Sequence, residues 1–321
     1  MALDVLYACL GLVILLLAGD ALVKGAVNLS LRLGVPALIV SLTIVAFGTS
    51  APELLIAIKA VMDNAPGIAL GNVVGSNTAN VLLVLGIPAI VSGLRTDECD
   101  TRRTYVMMIA ASVLFIGLAF WGVFTWWHGL ILLAALGLVL GDAFYTARNH
   151  RRDTRARLAE ADDPTEIEGA DPTISGPKIA LFLVLGLIGL PLGADLLVDA
   201  SINIAREIGV SETVIGLTLV AIGTSLPELA TTVMAAIRRQ ADVALGNVIG
   251  SNMFNLLAIV GIASLVGPIE VPREMLGFDL WVMLAASVLL APFVFAGWSM
   301  GKRWGTAFVA LYAAYIVMVL T

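Results

Sequence analysis

The sequence predicts an all-α integral membrane protein of ten transmembrane helices, arranged as two five-helix repeats of inverted topology. Three observations lead there. The 321 residues are 60% hydrophobic and 13% charged, with a mean hydropathy of +0.99. A soluble chain of this length cannot bury that much apolar surface. Apolar runs of about 20 residues, the length that crosses a bilayer, recur ten times. Finally, Leu42–Leu54 (LTIVAFGTSAPEL) returns at Leu217–Leu229 (LTLVAIGTSLPEL), identical at 10 of 13 positions, and ALGNVVGSN from Ala69 returns as ALGNVIGSN from Ala244, identical at 8 of 9. Both pairs are offset by 175 residues. Five spans per half is an odd number, so the second copy must enter the membrane with the opposite polarity, a plan common among secondary transporters.

In chain order the runs place spans at 4–29, 36–61, 67–91, 103–122, 126–146, 178–203, 211–237, 243–266, 277–297 and 303–320. The first is too long, and lacks the basic n-region, to be a cleaved signal peptide. The chain divides into a first repeat (1–146, its motif-bearing segment about 36–91), a polar stretch (147–177) and a second repeat (178–321, motif-bearing segment about 211–266). The polar stretch begins RNHRRDTRAR, turns acidic and proline-containing, and reads as a flexible linker. With this linker cytoplasmic, Lys59, Arg206 and Arg273 alone among the 18 Lys and Arg lie on the far side. That positive-inside bias places the chain in the plasma (inner) membrane with both termini extracytoplasmic. Trp126, Trp127 and His128 then form an aromatic belt at the outer interface.

The motifs put polar atoms at the bilayer centre. Spans 2, 3, 7 and 8 are centred near Thr49, Asn80, Thr224 and Asn255. Each copy carries one glutamate, Glu53 or Glu228, directly after a proline. An ionisable group in hydrocarbon costs roughly 2.5 kcal/mol or more, so a matched pair marks an ion pathway. Pro52 and Pro227 lack an N–H and disturb the preceding turn, which is expected to free carbonyls around Ala46 and Ala221. Spacing puts Thr49, Ser50 and Glu53 on one helix face, and aligns Asn72, Ser76 and Asn80, and again Asn247, Ser251 and Asn255, four residues apart. GxxxG pairs (Gly71 and Gly75, Gly246 and Gly250) allow the helices to approach closely. The donors are carboxylate, hydroxyl, amide and carbonyl oxygens, the set preferred by hard cations such as Ca²⁺ and Na⁺. Two carboxylates neutralise one Ca²⁺, and Na⁺ ions can divide the same oxygens.

Other features exclude alternatives. With His128 and His150 as the only histidines, zinc hydrolysis and His-based triads lack their parts; Cys9 and Cys99 form no disulfide or metal framework. The basic residues cluster beside spans, so no nucleic-acid partner is expected. No HExxH or GxGD motif is present, and no enzyme activity or cofactor is expected. Asp20 and Asp195 match across the repeat, as do Asn28 and Asn203; lying toward span ends, they suit structural or gating roles. Lys24 is expected to snorkel, and Asp142, Asp199 and Asp279 read as interfacial.

At GTSAPE with GNVVGSN, repeated as GTSLPE with GNVIGSN, the chain resembles the alpha repeats of the calcium/cation antiporter superfamily, in particular the prokaryotic sodium/calcium exchangers. The resemblance implies a core of spans 2, 3, 7 and 8, alternating access by sliding of spans 1 and 6, and electrogenic exchange of Na⁺ for Ca²⁺ by a monomer in the lipid bilayer. It also implies ion ligands at Ala46 (carbonyl), Thr49, Ser50, Glu53, Ser76 and Asn80, and at Ala221 (carbonyl), Thr224, Ser225, Glu228 and Ser251, with Asn255 as the remaining member of the set. The threonines would offer backbone oxygens to Ca²⁺ beside the glutamates, and the serines and alanine carbonyls would serve flanking Na⁺ sites. Potassium-dependent relatives typically carry aspartate where this chain has Asn255, and proton-coupled relatives a glutamate within the GNVVGSN segment. Both departures favour Na⁺ coupling. A proton- or potassium-dependent cation/Ca²⁺ exchanger is the alternative; a cation channel would more naturally show a filter loop and oligomeric symmetry.

Overall fold

The computed structural model describes residues 2–158, 174–209 and 221–320. In chain order the helices are α1 (Ala2–Leu33), α2 (Ala37–Thr49 and Ala51–Met62, meeting at 43°), α3 (Pro66–Val91), α4 (Arg102–Ala119) and α5 (Trp126–Leu158). They continue as α6 (Gly176–Glu207), α7 (Ala221–Gly223 and Leu226–Ile237), α8 (Ala241–Val266), α9 (Arg273–Phe295) and α10 (Lys302–Leu320). Among the described residues, seven helices are long and apolar enough to cross a membrane, or eight with bent α2 as one span. The first half of the expected seventh span, 211–220, lies outside the described residues. So does 159–173, the middle of the expected linker. Where a flexible linker is expected from Ala147, α5 instead continues as helix to Leu158. Residues 147–158 contain no proline or glycine and are rich in arginine and alanine, so nothing local stops the helix.

The inversion of the repeats is visible in the pairing of α1 with α6, which hold equivalent places in the two halves. A Cβ added to Gly11 would stand 2.7 Å from the Leu197 nitrogen, one on Gly193 2.9 Å from the Leu15 nitrogen, and one on Gly186 2.5 Å from the Leu22 Cβ. Positions rise along α1 as they fall along α6. Two equivalent helices therefore lie antiparallel, and the small residues between them allow backbone-to-backbone approach.

The loops repeat this relation. Strand β1 (Val123–Phe124) pairs antiparallel with β2 (Ile269–Glu270), with Phe124 opposite Ile269. A second bridge between the two halves joins Leu94 with Met300, whose amides and carbonyls exchange hydrogen bonds at 2.9 Å in both directions. Leu94 is the repeat equivalent of Ile269. One clasp joins the loop after α8 to the loop before α5; the other joins the loop after α3 to the loop before α10.

Burial sorts the helices into centre and periphery. In the most apolar windows of α3 and α8, 78% and 89% of residues are buried, against 22% in α1 and α6. The centre is therefore α3 and α8 with the motif-bearing parts of α2 and α7, and α1 with α6 turns a broad leucine-rich face outward. On α8, a Cβ at Gly246 would lie 2.7 Å from the Leu38 carbonyl oxygen and one at Gly250 2.5 Å from that of Leu42. The Ser41 hydroxyl donates to the Val243 carbonyl across the same seam at 2.6 Å.

The peripheral charges find partners. Asp20 of α1 accepts from Lys24 one turn later at 2.9 Å and pairs with Arg238 just beyond α7. Lys24 is thus held by Asp20 on its own helix. Asp142 pairs with Arg103, and the Tyr315 hydroxyl donates to Asp279 at 3.0 Å. Trp126 and Trp127 are exposed and stacked on each other, while the His128 ring accepts the Thr125 N–H at 3.0 Å and caps the start of α5.

Gly250→Val is expected to lower stability by about 1–3 kcal/mol, because its branches would meet the α2 backbone in a seam that cannot widen. Gly137→Val, where an added Cβ meets nothing among the described residues, is expected to be near neutral. Thermal midpoints in detergent compare the two; equal midpoints would contradict the tight seam.

Candidate functional site

The site begins with two matched breaks. Pro52 has no N–H to give the Gly48 carbonyl, nor Pro227 to give that of Gly223. Ser50 (φ −87°, ψ 5°) and Ser225 (φ −90°, ψ 3°) leave helical geometry and each becomes the N-cap of a twelve-residue half-helix. Glu53 and Glu228 lie in the first turns of those half-helices. The unpaired N–H groups of a helix start favour negative charge there. The break thus places each carboxylate where the backbone best tolerates it.

The partner helices widen at the same level. A π-turn spans Asn80–Val84 in α3 and another Phe254–Ile259 in α8, at equivalent positions of the repeat. Such turns redirect carbonyls and side chains and cluster at functional sites. A third, Ser41–Val45, lies just upstream of the α2 break.

The candidate residues come together between these four helices. Thr49, Ser50, Glu53, Ser76, Asn80, Ser225, Glu228, Ser251 and Asn255 are all buried, the two glutamates at 1% exposure. Thr224 is partly buried, and the carbonyl-bearing Ala46 is buried. Ser50 of α2 donates to Glu228 Oε1 of α7 at 3.2 Å, joining the two motifs directly. Thr49 and Thr224 make matched cross-repeat contacts, to Asn247 Oδ1 at 3.3 Å and Asn72 Oδ1 at 3.4 Å.

Seven buried side-chain oxygens nevertheless have no donor: Glu53 Oε2, Ser76 Oγ, Asn80 Oδ1, Ser225 Oγ, Glu228 Oε2, Ser251 Oγ and Asn255 Oδ1. A buried polar atom without a partner costs about 1–3 kcal/mol, and more when charged. Among the described residues neither carboxylate is paired with Lys, Arg or His. An oxygen cage with net charge −2 and no protein cation fits a hard cation. No group of three His, Cys, Asp or Glu side chains forms among the described residues.

Two expectations change. The Ala46 carbonyl is not freed: it accepts the Ser50 N–H at 3.0 Å and the Thr49 hydroxyl at 3.3 Å. At the equivalent position the Ser225 N–H turns to Ile222 at 3.0 Å, so Ala221 does not receive it. And Thr49, Ser50 and Glu53 do not share one continuous helix, because the bend falls at Ser50.

Asn77 and Asn252, the final residues of GSN, stand outside the four-residue stripes that spacing picks out. Their amides link α3 to α8 in reciprocal fashion: Asn77 Nδ2 donates to the Asn252 carbonyl at 3.2 Å, and Asn252 Nδ2 to the Asn77 carbonyl at 3.4 Å. Their recurrence inside an identical motif was the available signal. Asn247 also donates to Thr232 at 3.2 Å. The repeat equivalent of Thr232 is Ala57, and there the Asn72 amide has no acceptor.

Comparison with known proteins gives consistent matches. The family described as "Sodium/calcium exchanger protein" matches residues 3–143 and 178–321. The sodium/calcium exchanger MaX1 of Methanosarcina acetivorans is 35% identical, covering 96% of both chains. The putative antiporter CaxA of Alkalimonas amylolytica is 35% identical over 89% of this chain and 88% of its own. Among solved structures, the sodium-calcium exchanger NCX_Mj soaked with Na⁺ and Sr²⁺ superposes with a TM-score of 0.81 at 31% identity, covering 98% of both chains.

Removing one of two carboxylates from a buried oxygen cage is expected to weaken divalent binding strongly. Glu53→Gln and Glu228→Gln should each reduce Ca²⁺ affinity in detergent by at least about a hundredfold, or about 2.8 kcal/mol, measured by calorimetric titration. Wild-type affinity in either variant would show that the carboxylate does not meet the ion.

Proposed function

The chain belongs to the sodium/calcium exchanger protein family, multi-pass membrane proteins that act as secondary cation/Ca²⁺ antiporters, and we propose that it exchanges Na⁺ for Ca²⁺ at a site near the midplane built around Glu53 and Glu228. The observation that carries this reading is the set of seven donorless oxygens, drawn from four helices around two carboxylates without a protein counter-charge.

Ca²⁺ takes six to eight oxygens, more than two carboxylates alone supply. The carboxylates of Glu53 and Glu228 with the backbone oxygens of Thr49 and Thr224 form the Ca²⁺ site. The Thr49 hydroxyl directs its one hydrogen toward Ala46 and Asn247, and the backbone carbonyl of Thr49 is proposed as the oxygen offered to Ca²⁺. Ser50, Ser76, Ser225, Ser251 and the Ala221 carbonyl serve flanking Na⁺ sites, with Asn80 and Asn255 completing the cage. Ala46 joins them when its carbonyl releases the Thr49 hydroxyl.

Shared ligands convert binding into exchange. Loaded with Ca²⁺ or with Na⁺, the carboxylates are neutralised and the carrier can change its facing; bare, they hold a −2 charge in an apolar interior and that change is penalised. The protein acts as a monomer in the plasma membrane, with five helices on either side of a cytoplasmic linker and both termini outside.

Two measurements test this reading. Proteoliposomes loaded with Na⁺ are expected to take up Ca²⁺, and those loaded with K⁺ are not; uptake driven by a pH gradient alone would contradict Na⁺ coupling. In intact cells, Cys99, in the loop between α3 and α4, is expected to escape a charged maleimide until the membrane is permeabilised. Labelling from outside would reverse the proposed orientation.

A further inference from the structure

Asparagine presents two opposite faces to a cation, an attractive carbonyl oxygen and a repulsive NH₂ group, and the two are nearly equal in shape. A cage that uses asparagine oxygens must therefore fix which way each amide points. The hydrogen bonds between α3 and α8 do this through a chain with one consistent direction. It starts at two backbone carbonyls, those of Asn77 and Asn252, which can only accept. Each receives the NH₂ of the other residue's side chain, at 3.4 and 3.2 Å. With their NH₂ groups so committed, Asn77 Oδ1 and Asn252 Oδ1 face the next amides. Asn255 Nδ2 donates to Asn77 Oδ1 at 3.0 Å, and Asn80 Nδ2 donates to Asn252 Oδ1 at 3.1 Å. What remains is Asn255 Oδ1 and Asn80 Oδ1, both buried and both without a donor. Reversing any amide in the chain would set oxygen against oxygen or NH₂ against NH₂.

We propose that Asn77 and Asn252 are positioning residues for ion binding: by accepting the NH₂ groups of Asn255 and Asn80, they keep the oxygens of those amides turned toward the cation cage. They touch no ion themselves. Because each is held by a backbone carbonyl on the opposite repeat, the orientation of the ligands and the docking of α3 against α8 are one structure. The proposal rests on Asn80 and Asn255 being cation ligands, and the experiment separates the two claims.

The test measures Ca²⁺ uptake into Na⁺-loaded proteoliposomes as a function of external Ca²⁺, for wild type, Asn255→Ala, Asn255→Asp, Asn77→Ala and the double variant Asn77→Ala/Asn255→Asp. Alanine at 77 removes the acceptor, so the Asn255 amide can turn its NH₂ to the ion. The half-saturating Ca²⁺ concentration is then expected to rise about ten- to a hundredfold, the usual cost of losing a partner that orients a metal ligand. Aspartate at 255 has oxygen on both sides and needs no orientation. The double variant is therefore expected to match Asn255→Asp, whereas a role confined to holding α3 and α8 together would leave it as weak as Asn77→Ala. An unchanged half-saturation in Asn77→Ala, or equal weakening with and without Asn255→Asp, overturns the positioning role. Wild-type half-saturation in Asn255→Ala instead overturns the ligand reading beneath it. If Asn77→Ala fails to give folded protein, the mirror set of Asn252→Ala with and without Asn80→Asp is read by the same criteria.

Discussion

Two carboxylates buried at 1% exposure, with no Lys, Arg or His beside them among the described residues, are the constraint on which the rest of this structure depends. Buried charges persist when they are paired and hydrogen-bonded. Here the protein supplies partial compensation: half-helix starts beneath Glu53 and Glu228, and one hydroxyl from Ser50. In the proposed function, the remaining compensation comes from the transported cation. A cage that lacks its counter-charge until a cation arrives is a binding site, and one that tolerates neither bareness nor overfilling couples two cations through competition.

The duplication makes the cage economical, because one break, one π-turn and one asparagine ladder, each used twice, enclose it. The departures from symmetry are as informative as the matches. The Ser50 N–H bonds to Ala46, whereas that of Ser225 bonds to Ile222, so the two α-helical breaks are not in the same state. Asn247 has Thr232 to hold its amide, and Asn72 faces a repeat position occupied by Ala57. The ion pair of Asp20 with Lys24 and Arg238 belongs to one half alone, since the equivalent positions are Asp195, Asp199 and Asp63. One backbone plan thus carries two different local environments.

Much of this was legible in the sequence because membrane burial turns polarity into information. In an apolar chain, a repeated glutamate after a proline stands out, and an odd span count settles the inversion that α1 and α6 then display. The Ala46 carbonyl was misjudged because proline removes its own N–H but says nothing of the N–H at Ser50, which still reaches back. Helix through residues 147–158 was missed because charge was read as linker, although no breaker interrupts it. Asn77 and Asn252 were passed over because spacing along one helix cannot reveal partners across two; their role depends on how α3 and α8 cross.

In the proposed exchange, one divalent cation sits between Glu53 and Glu228 and is displaced by Na⁺. Crystals soaked with Sr²⁺, a heavier congener of Ca²⁺ visible by anomalous scattering, test it most directly. A single strong peak is expected within coordination distance of both carboxylates and the Thr49 and Thr224 carbonyls, at or slightly beyond the roughly 2.3–2.6 Å of Ca²⁺–oxygen bonds, fading as Na⁺ is raised. A peak elsewhere in the protein, or one indifferent to Na⁺, would contradict it.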